Sequence, residues 1–209
     1  MVTLPRAGFR LSQVLILALV VAGMASGEFV LVVNGLIGLG TTGLPWAIQR
    51  YGDVTISPPF VFWIAVAVLL HTLGMAGPYE TIWWWDHLTH TLSAALLASV
   101  AYALTRTLEE HSTVISLPAD FRFLFVVIFA LAAGVLWEVL EFLGREGARW
   151  LGHQPVLVQY GLQDTVLDLL FDGAGAVIVG LLDRRWLGRS WVVRSWGEDG
   201  EDTANRKYS

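Results

Sequence analysis

Long uncharged apolar runs, several in succession, dominate this sequence. Residues 11–27, 60–70 and 123–137 contain no charged side chain. Extended by their flanks they approach ~20 residues, the length at which a helix rising 1.5 Å per residue crosses the bilayer's hydrocarbon core. A core helix of a soluble domain can be equally apolar, but a succession of them leaves no polar face to meet water. Of the 209 residues, 55% are hydrophobic and 15% charged, against about a quarter charged in soluble domains. The expected fold class is all-α, a polytopic transmembrane helix bundle held in a lipid bilayer.

Six spans are expected, at residues 11–27, 29–48, 60–76, 84–104, 123–143 and 161–182. A cleaved signal peptide is the rival reading of the first span, with Arg6 and Arg10 as its basic region and Ala25, Ser26 and Gly27 near the cleavage site. In domain terms, residues 1–182 form the transmembrane domain. Residues 183–209 form a polar tail on the cytoplasmic side, whose end, 197–209, has the composition of a disordered segment. Orientation follows from the basic residues. With the N-terminus in the cytoplasm, eleven of thirteen Lys and Arg residues lie inside, and only Arg145 and Arg149 lie outside. That bias predicts both termini in the cytoplasm of a cell-membrane protein.

Composition also excludes chemistry. Without cysteine there is no disulfide, thiolate metal site or cysteine nucleophile. No basic stripe exists for nucleic acid outside short loops and the tail.

The informative residues are ionisable groups inside the spans. They are His71 in the third, Asp86 and His90 at the start of the fourth, Glu138 and Glu141 in the fifth, and Asp164, Asp168 and Asp172 in the sixth. A charged group at the centre of a span costs roughly 2.5–3.5 kcal/mol on insertion scales and marks function by default. Spacings of three and four put each set on one helix face. His87, next to Asp86, is expected to point elsewhere. The alternating direction of the spans brings all but Asp172 into the outer half of the bilayer, with Asp172 near mid-membrane. The site should therefore open to the exterior or the outer leaflet, bordered by residues 83–85 and 145–154.

Carboxylates with imidazoles and no thiol suit Mg²⁺, Mn²⁺, Ca²⁺, Fe²⁺ or Zn²⁺. A cation would also offset the mutual repulsion of so many acids. The candidate metal ligands are His71, Asp86, His90, Asp164, Asp168 and Asp172, and the candidate catalytic residues are Glu138 and Glu141. Snorkelling interfacial side chains or an inert hydrogen-bonded network are the structural alternatives.

Over residues 71–182 the chain resembles the YjdF-like family of multi-pass inner-membrane proteins and, more distantly, VanZ-like proteins. The segment Leu70, His71, Thr72, Leu73, Gly74 is similar to the family's Leu-His-Glu-Ile-Gly. Asp86 and His90 match its Asp-x-x-x-His start, Glu138 and Glu141 its Glu-x-x-Glu pair, and Asp164 and Asp168 its Asp-x-x-x-Asp pair. Asp172 falls where VanZ-like sequences have Asn. Two positions depart: Trp85 stands for the family's Tyr, and Leu162 and Gln163 follow Gly161 where an Asp is usual. The resemblance implies the fold and the site's location, and through VanZ-like proteins a connection to the cell envelope.

Three functions remain open. The preferred one is a metal-dependent hydrolase or transferase acting on a lipid-like envelope substrate. The others are an ion or proton-coupled transporter and a structural membrane protein. No internal repeat of the kind common in transporters is evident. The glycines 35, 38, 40 and 43, and the pair Ala176 and Gly180, are read as packing positions.

Overall fold

Lipid cannot hydrogen-bond a peptide group, so a chain this apolar must satisfy its backbone within each segment. It does so as helix. The computed structural model describes residues 3–52, 54–112, 114–157, 159–183 and 192–196. Within them lie helices α1 (Thr3–Ser26), α2 (Phe29–Tyr51), α3 (Pro58–Gly74), α4 (Pro78–Thr81), α5 (Trp85–Glu110), α6 (Ala119–Leu151) and α7 (Leu162–Asp183). Five of them, α1, α2, α5, α6 and α7, are long and apolar enough to cross a membrane, whereas α3 is apolar but has 17 residues.

The boundaries follow local chemistry. Gly27 takes the left-handed conformation (φ 77°) that a glycine adopts without steric cost, and the turn from α1 to α2 closes with Glu28 N–H donating to Gly23 O at 2.8 Å. At α3, Ser57 caps the first turn by accepting from Phe60 N–H, and Pro58 and Pro59 occupy the positions whose N–H groups have no helical partner anyway. α6 runs well past residue 143, the expected end of the fifth span. It has 33 residues, ~50 Å at 1.5 Å per residue, and stops at Gly152 (φ 72°). Arg145 and Arg149 therefore sit on its last turns, Arg149 bonded to Glu146 at 3.0 Å and Arg145 to the Gln159 carbonyl at 2.9 Å.

Helix α6 has an inverted surface. Val126, Ala130, Gly134, Glu138 and Glu141 are buried, while Leu136, Val139, Leu140 and Leu143 are exposed. Acids inside and leucines outside is the arrangement of a helix surrounded by lipid.

Beside the helical bundle the described residues form one short β ribbon. Strands β1 (Val54–Ile56) and β2 (Val193–Trp196) pair antiparallel, with Val54 opposite Trp196 and Thr55 opposite Ser195. The Val192 carbonyl accepts from Ser57 N–H at 2.9 Å, and Val192 packs against Phe60 and Ala103. Residues 192–196 of the tail thus lie beside the start of α3. The expected disordered end, 197–209, lies outside the described residues.

The helices form two triplets, α1–α2–α3 and α5–α6–α7, joined through α3 and α5. Small residues set the close approaches. A Cβ on Gly35 or Gly38 would meet Val20, Val68 or Thr72, and one on Gly175 would strike the Thr91 carbonyl. Gly40 and Gly43 have nothing within 4 Å, so the packing expected of them is absent. Ala176 is fully buried, and a Cβ on Gly180 would meet Phe123. Between the triplets lies a cleft of about 1750 Å³, lined chiefly by α2, α3, α5 and α6.

Candidate functional site

Helices α5, α6 and α7 each turn an ionisable face toward one another at the end of the bundle where α5 begins. His90 is the centre. Its Nδ1 lies 3.2 Å from Asp172 Oδ1, and its Nε2 lies 3.7 Å from Asp86 Oδ1 and 4.0 Å from Glu138 Oε1. Asp86, His90 and Asp168 each offer a ligand atom, all within 4.8 Å of one another. Asp168, Glu138 and Asp172 are only 1%, 3% and 3% exposed, and His90 is 9% exposed. No Lys or Arg faces the cluster among the described residues, and the ion-pair partners of these acids there are imidazoles.

Among the described residues, three buried carboxylate oxygens have no hydrogen-bond partner: Glu138 Oε1, Asp168 Oδ1 and Asp172 Oδ2. Buried polar atoms are nearly always satisfied, so these oxygens, with Glu138 Oε1 4.0 Å from His90 Nε2 and Asp168 Oδ1 3.5 Å from His87 Nδ1, make a site with acceptors to spare. Hard oxygen donors plus one imidazole nitrogen are a donor set for a divalent cation. The other oxygens of Asp172 and Glu138 have partners, Asp172 Oδ1 lying 3.2 Å from His90 Nδ1. Glu138 Oε2 accepts from Thr165 Oγ1–H at 2.7 Å, and Thr165 in turn accepts from Gln159 Nε2–H at 2.9 Å.

Gly134 on α6 is what lets Asp172 reach this position. A Cβ there would collide with the Asp172 carboxylate.

The expected residues divide into two groups. Asp86, His90, Glu138, Asp168 and Asp172 converge, and Glu141, buried on the same face of α6, borders them and the cleft. Asp164 and His71 stand apart. Asp164, half-buried in the first turn of α7, accepts from Tyr160 N–H at 3.2 Å, a capping contact favoured by the helix's positive end. His71 lies across the cleft on α3, where its Nδ1 is 2.9 Å from the Tyr79 hydroxyl and its Nε2 3.5 Å from Asn34 Oδ1. The Asn34 amide gives both protons to carbonyls, Val30 and Val156 at 2.9 Å each, so Oδ1 can only accept. His71 then carries its proton on Nε2 and accepts the Tyr79 O–H at Nδ1. Burial holds the Tyr79 phenol well above its usual range, so that proton stays in place. Tyr79 also touches Thr89 at 3.2 Å, linking His71 to α5.

His87 departs from expectation. Its Nδ1 is 3.5 Å from Asp168 Oδ1, and its ring stacks on Phe171 with centroids 4.4 Å apart. One helical step turns it away from α6 but toward α7, which closes the other side of α5. Thr165 and Asn34 give no signal in the sequence because neutral polar residues are no anomaly in an apolar run, and Tyr79 lies on α4, in the short connection before α5.

No curated protein and no solved structure matches the chain. A family model described as predicted membrane protein (DUF2238) matches residues 8–189, which include every helix through α7 except the start of α1. The match covers most of the chain, including all the residues of the buried cluster, and the chain therefore belongs to the DUF2238 family of predicted membrane proteins.

Proposed function

We propose that the protein is a six-span inner-membrane enzyme, with both termini cytoplasmic, that uses a divalent cation to hydrolyse or transfer a group on a lipid-like envelope substrate. The observation that carries this reading is the set of buried oxygens on Glu138, Asp168 and Asp172 that lack a hydrogen-bond partner among the described residues, beside the His90 and His87 imidazoles. Water cannot be assumed to satisfy carboxylates inside a membrane, and leaving them bare is costly. The YjdF-like resemblance supports the location of the site, and the VanZ-like one supports an envelope substrate.

The strand pairing supports the span count. With β1 and β2 hydrogen-bonded on one side of the bundle, an even number of crossings between them fits best. Helices α5, α6 and α7 alone would give an odd number, and this favours a crossing by α3 as well. Its 17 residues are at the short end of the range of about 17–25 for a spanning helix. Adding α1 and α2 makes six.

Asp86, His90 Nε2 and Asp168 would hold the cation, which supplies charge stabilisation for a developing oxyanion. Asp172, bonded to His90 Nδ1, would orient the imidazole and raise its basicity, the usual partner of a ligating histidine. Glu138, oriented by Thr165 and with Oε1 open, would take the proton from the attacking water or alcohol. Glu141 at the cleft would be the alternate proton acceptor. His71, fixed by Tyr79 and Asn34, would position substrate from the opposite wall.

The test is turnover of long-chain phosphoester and amide substrates by the reconstituted protein across a panel of divalent metals. Metal-dependent cleavage that Glu138→Gln abolishes without lowering metal content is expected. No turnover with any metal and any of these substrates would refute the enzyme reading.

A further inference from the structure

The buried cluster opens onto a much longer cavity, which also continues past it beside Phe29 and Leu143, Gly147 and Leu151 of α6. One face of α5 forms its floor: Asp86 and His90 are followed at three- and four-residue steps by Ser93, Leu97, Val100 and Leu104, and all of them line it. From His90 to Leu104 this floor is ~21 Å long at 1.5 Å per residue, longer than the ~15 Å depth of one leaflet's hydrocarbon. Small residues open the walls, with Gly38, Thr41 and Pro45 on α2 facing Ala130, Ala133 and Gly134 on α6. Leu97 and Leu104 remain 38% and 40% exposed, so the protein's own side chains do not fill the space. The far end is bounded by Val54 and Ile56 of β1 and by Val192.

Polarity changes once along this path. The lining contains no Lys or Arg, and from Ser93 to Leu104 along α5 it contains no titratable group at all; His71, Asp86, His90, Glu141 and Asp172 lie before that stretch, with Tyr160 and His153 farther out. A volume of about 1750 Å³ exceeds the roughly 300–1,000 Å³ typical of small-molecule sites. A polar head on an elongated hydrocarbon body is the ligand shape that matches both ends.

We propose that this cleft binds one long-chain amphiphile, its head at Asp86 and His90 and its hydrocarbon tail lying along α5 towards Leu104 and β1. The proposal deepens the function put forward above and rests on it for the chemistry at the head. With no basic side chain in the lining, a neutral head enters the site directly, whereas a phosphate head needs a bound cation to offset the acids.

The test uses a long-chain monoacylglycerol carrying a diazirine either near the glycerol or at the tail's end, with cross-links mapped by mass spectrometry on the full protein in nanodiscs. The head-proximal probe should label around Thr89 and Ser93, and the tail-end probe around Val100 to Leu104. Ala133→Trp or Leu97→Trp should cut tail-end labelling by about tenfold, the factor expected when about two methylenes lose their burial. Val135→Trp, on the exposed outer side of α6, should leave it unchanged and controls for folding.

Labelling spread over the outward faces of α1 and α6, and indifferent to Ala133→Trp, would overturn the proposal in favour of bulk lipid. Cross-links joining two copies of the chain through the cleft would overturn it in favour of a dimer interface. Metal removal separates this inference from the enzyme reading. The neutral probe should label equally with chelator present, and a lysophosphatidic acid analogue should require the metal. Tail labelling without any metal effect on the phosphate probe would uphold the cleft while sinking the metal site.

Discussion

Replacing Gly134 with Ala adds one methyl group at the point where α6 meets the Asp172 carboxylate. In a helix alone the change is favourable by roughly 1 kcal/mol. Here the methyl overlaps Asp172 Oδ2, and overpacking of this kind costs roughly 1–3 kcal/mol. If Asp172 instead swings away to relieve the overlap, its 3.2 Å hydrogen bond to His90 Nδ1 is lost, which costs about 1–3 kcal/mol for a buried partner left unsatisfied. Either way the net destabilisation is about 0–2 kcal/mol, or about 1–3 kcal/mol relative to a glycine where the added methyl meets nothing. Metal affinity should fall by about 10–100-fold, as when the outer partner of a ligating histidine is removed. Gly40→Ala and Gly43→Ala are matched controls, since nothing lies within 4 Å of either position. Thermal unfolding in detergent and metal titration of the three variants are the assay. Gly134→Ala protein as stable as the two controls, with unchanged metal affinity, would refute the packing argument and the orienting role of Asp172.

Three further outcomes are expected. Cysteines at Thr55 and Ser195, which face one another in the antiparallel ribbon, should oxidise to a disulfide, because paired strands hold Cα atoms about 4.5–5.5 Å apart; failure to cross-link would remove the parity argument for six spans. Reporter fusions at the C-terminus and within residues 153–160 should report cytoplasm and exterior respectively, and both on one side would overturn the topology. An impermeant thiol reagent added to intact cells should modify Gln163→Cys, at the exposed start of α7, but not Leu104→Cys at the far end of the cleft; the reverse pattern would place the site's access on the cytoplasmic side.

Helix identity was legible because hydropathy and the missing backbone partners of lipid point to the same answer. The end of α6 was not. Its polar residues beyond Glu141 signal water, and water stops a span without stopping a helix, so the chain stays helical until Gly152. The β ribbon escaped notice because three and four residues are too few to show a strand period, and its partners lie far apart in sequence. At the site, spacing identified which residues share a helix face, and Asp86, His90, Glu138, Asp168 and Asp172 do converge. Spacing carries no information on which neighbour a face meets. Hence His87 was set aside although α7 brings Asp168 beside it, and His71 was grouped with ligands although Tyr79 and Asn34 hold it across the cleft. Thr89, a natural choice for outside labelling by sequence depth, is buried against Tyr79.

The central claim is a divalent cation held by Asp86, His90 and Asp168. Elemental analysis of the purified protein, beside Asp168→Asn and Asp86→Asn/Asp168→Asn variants, tests it most directly. Near-stoichiometric metal in the parent chain, reduced in the single variant and lost in the double, is the predicted result. A parent protein that takes up no divalent metal under any loading condition, or a double variant that keeps a full complement, would contradict it.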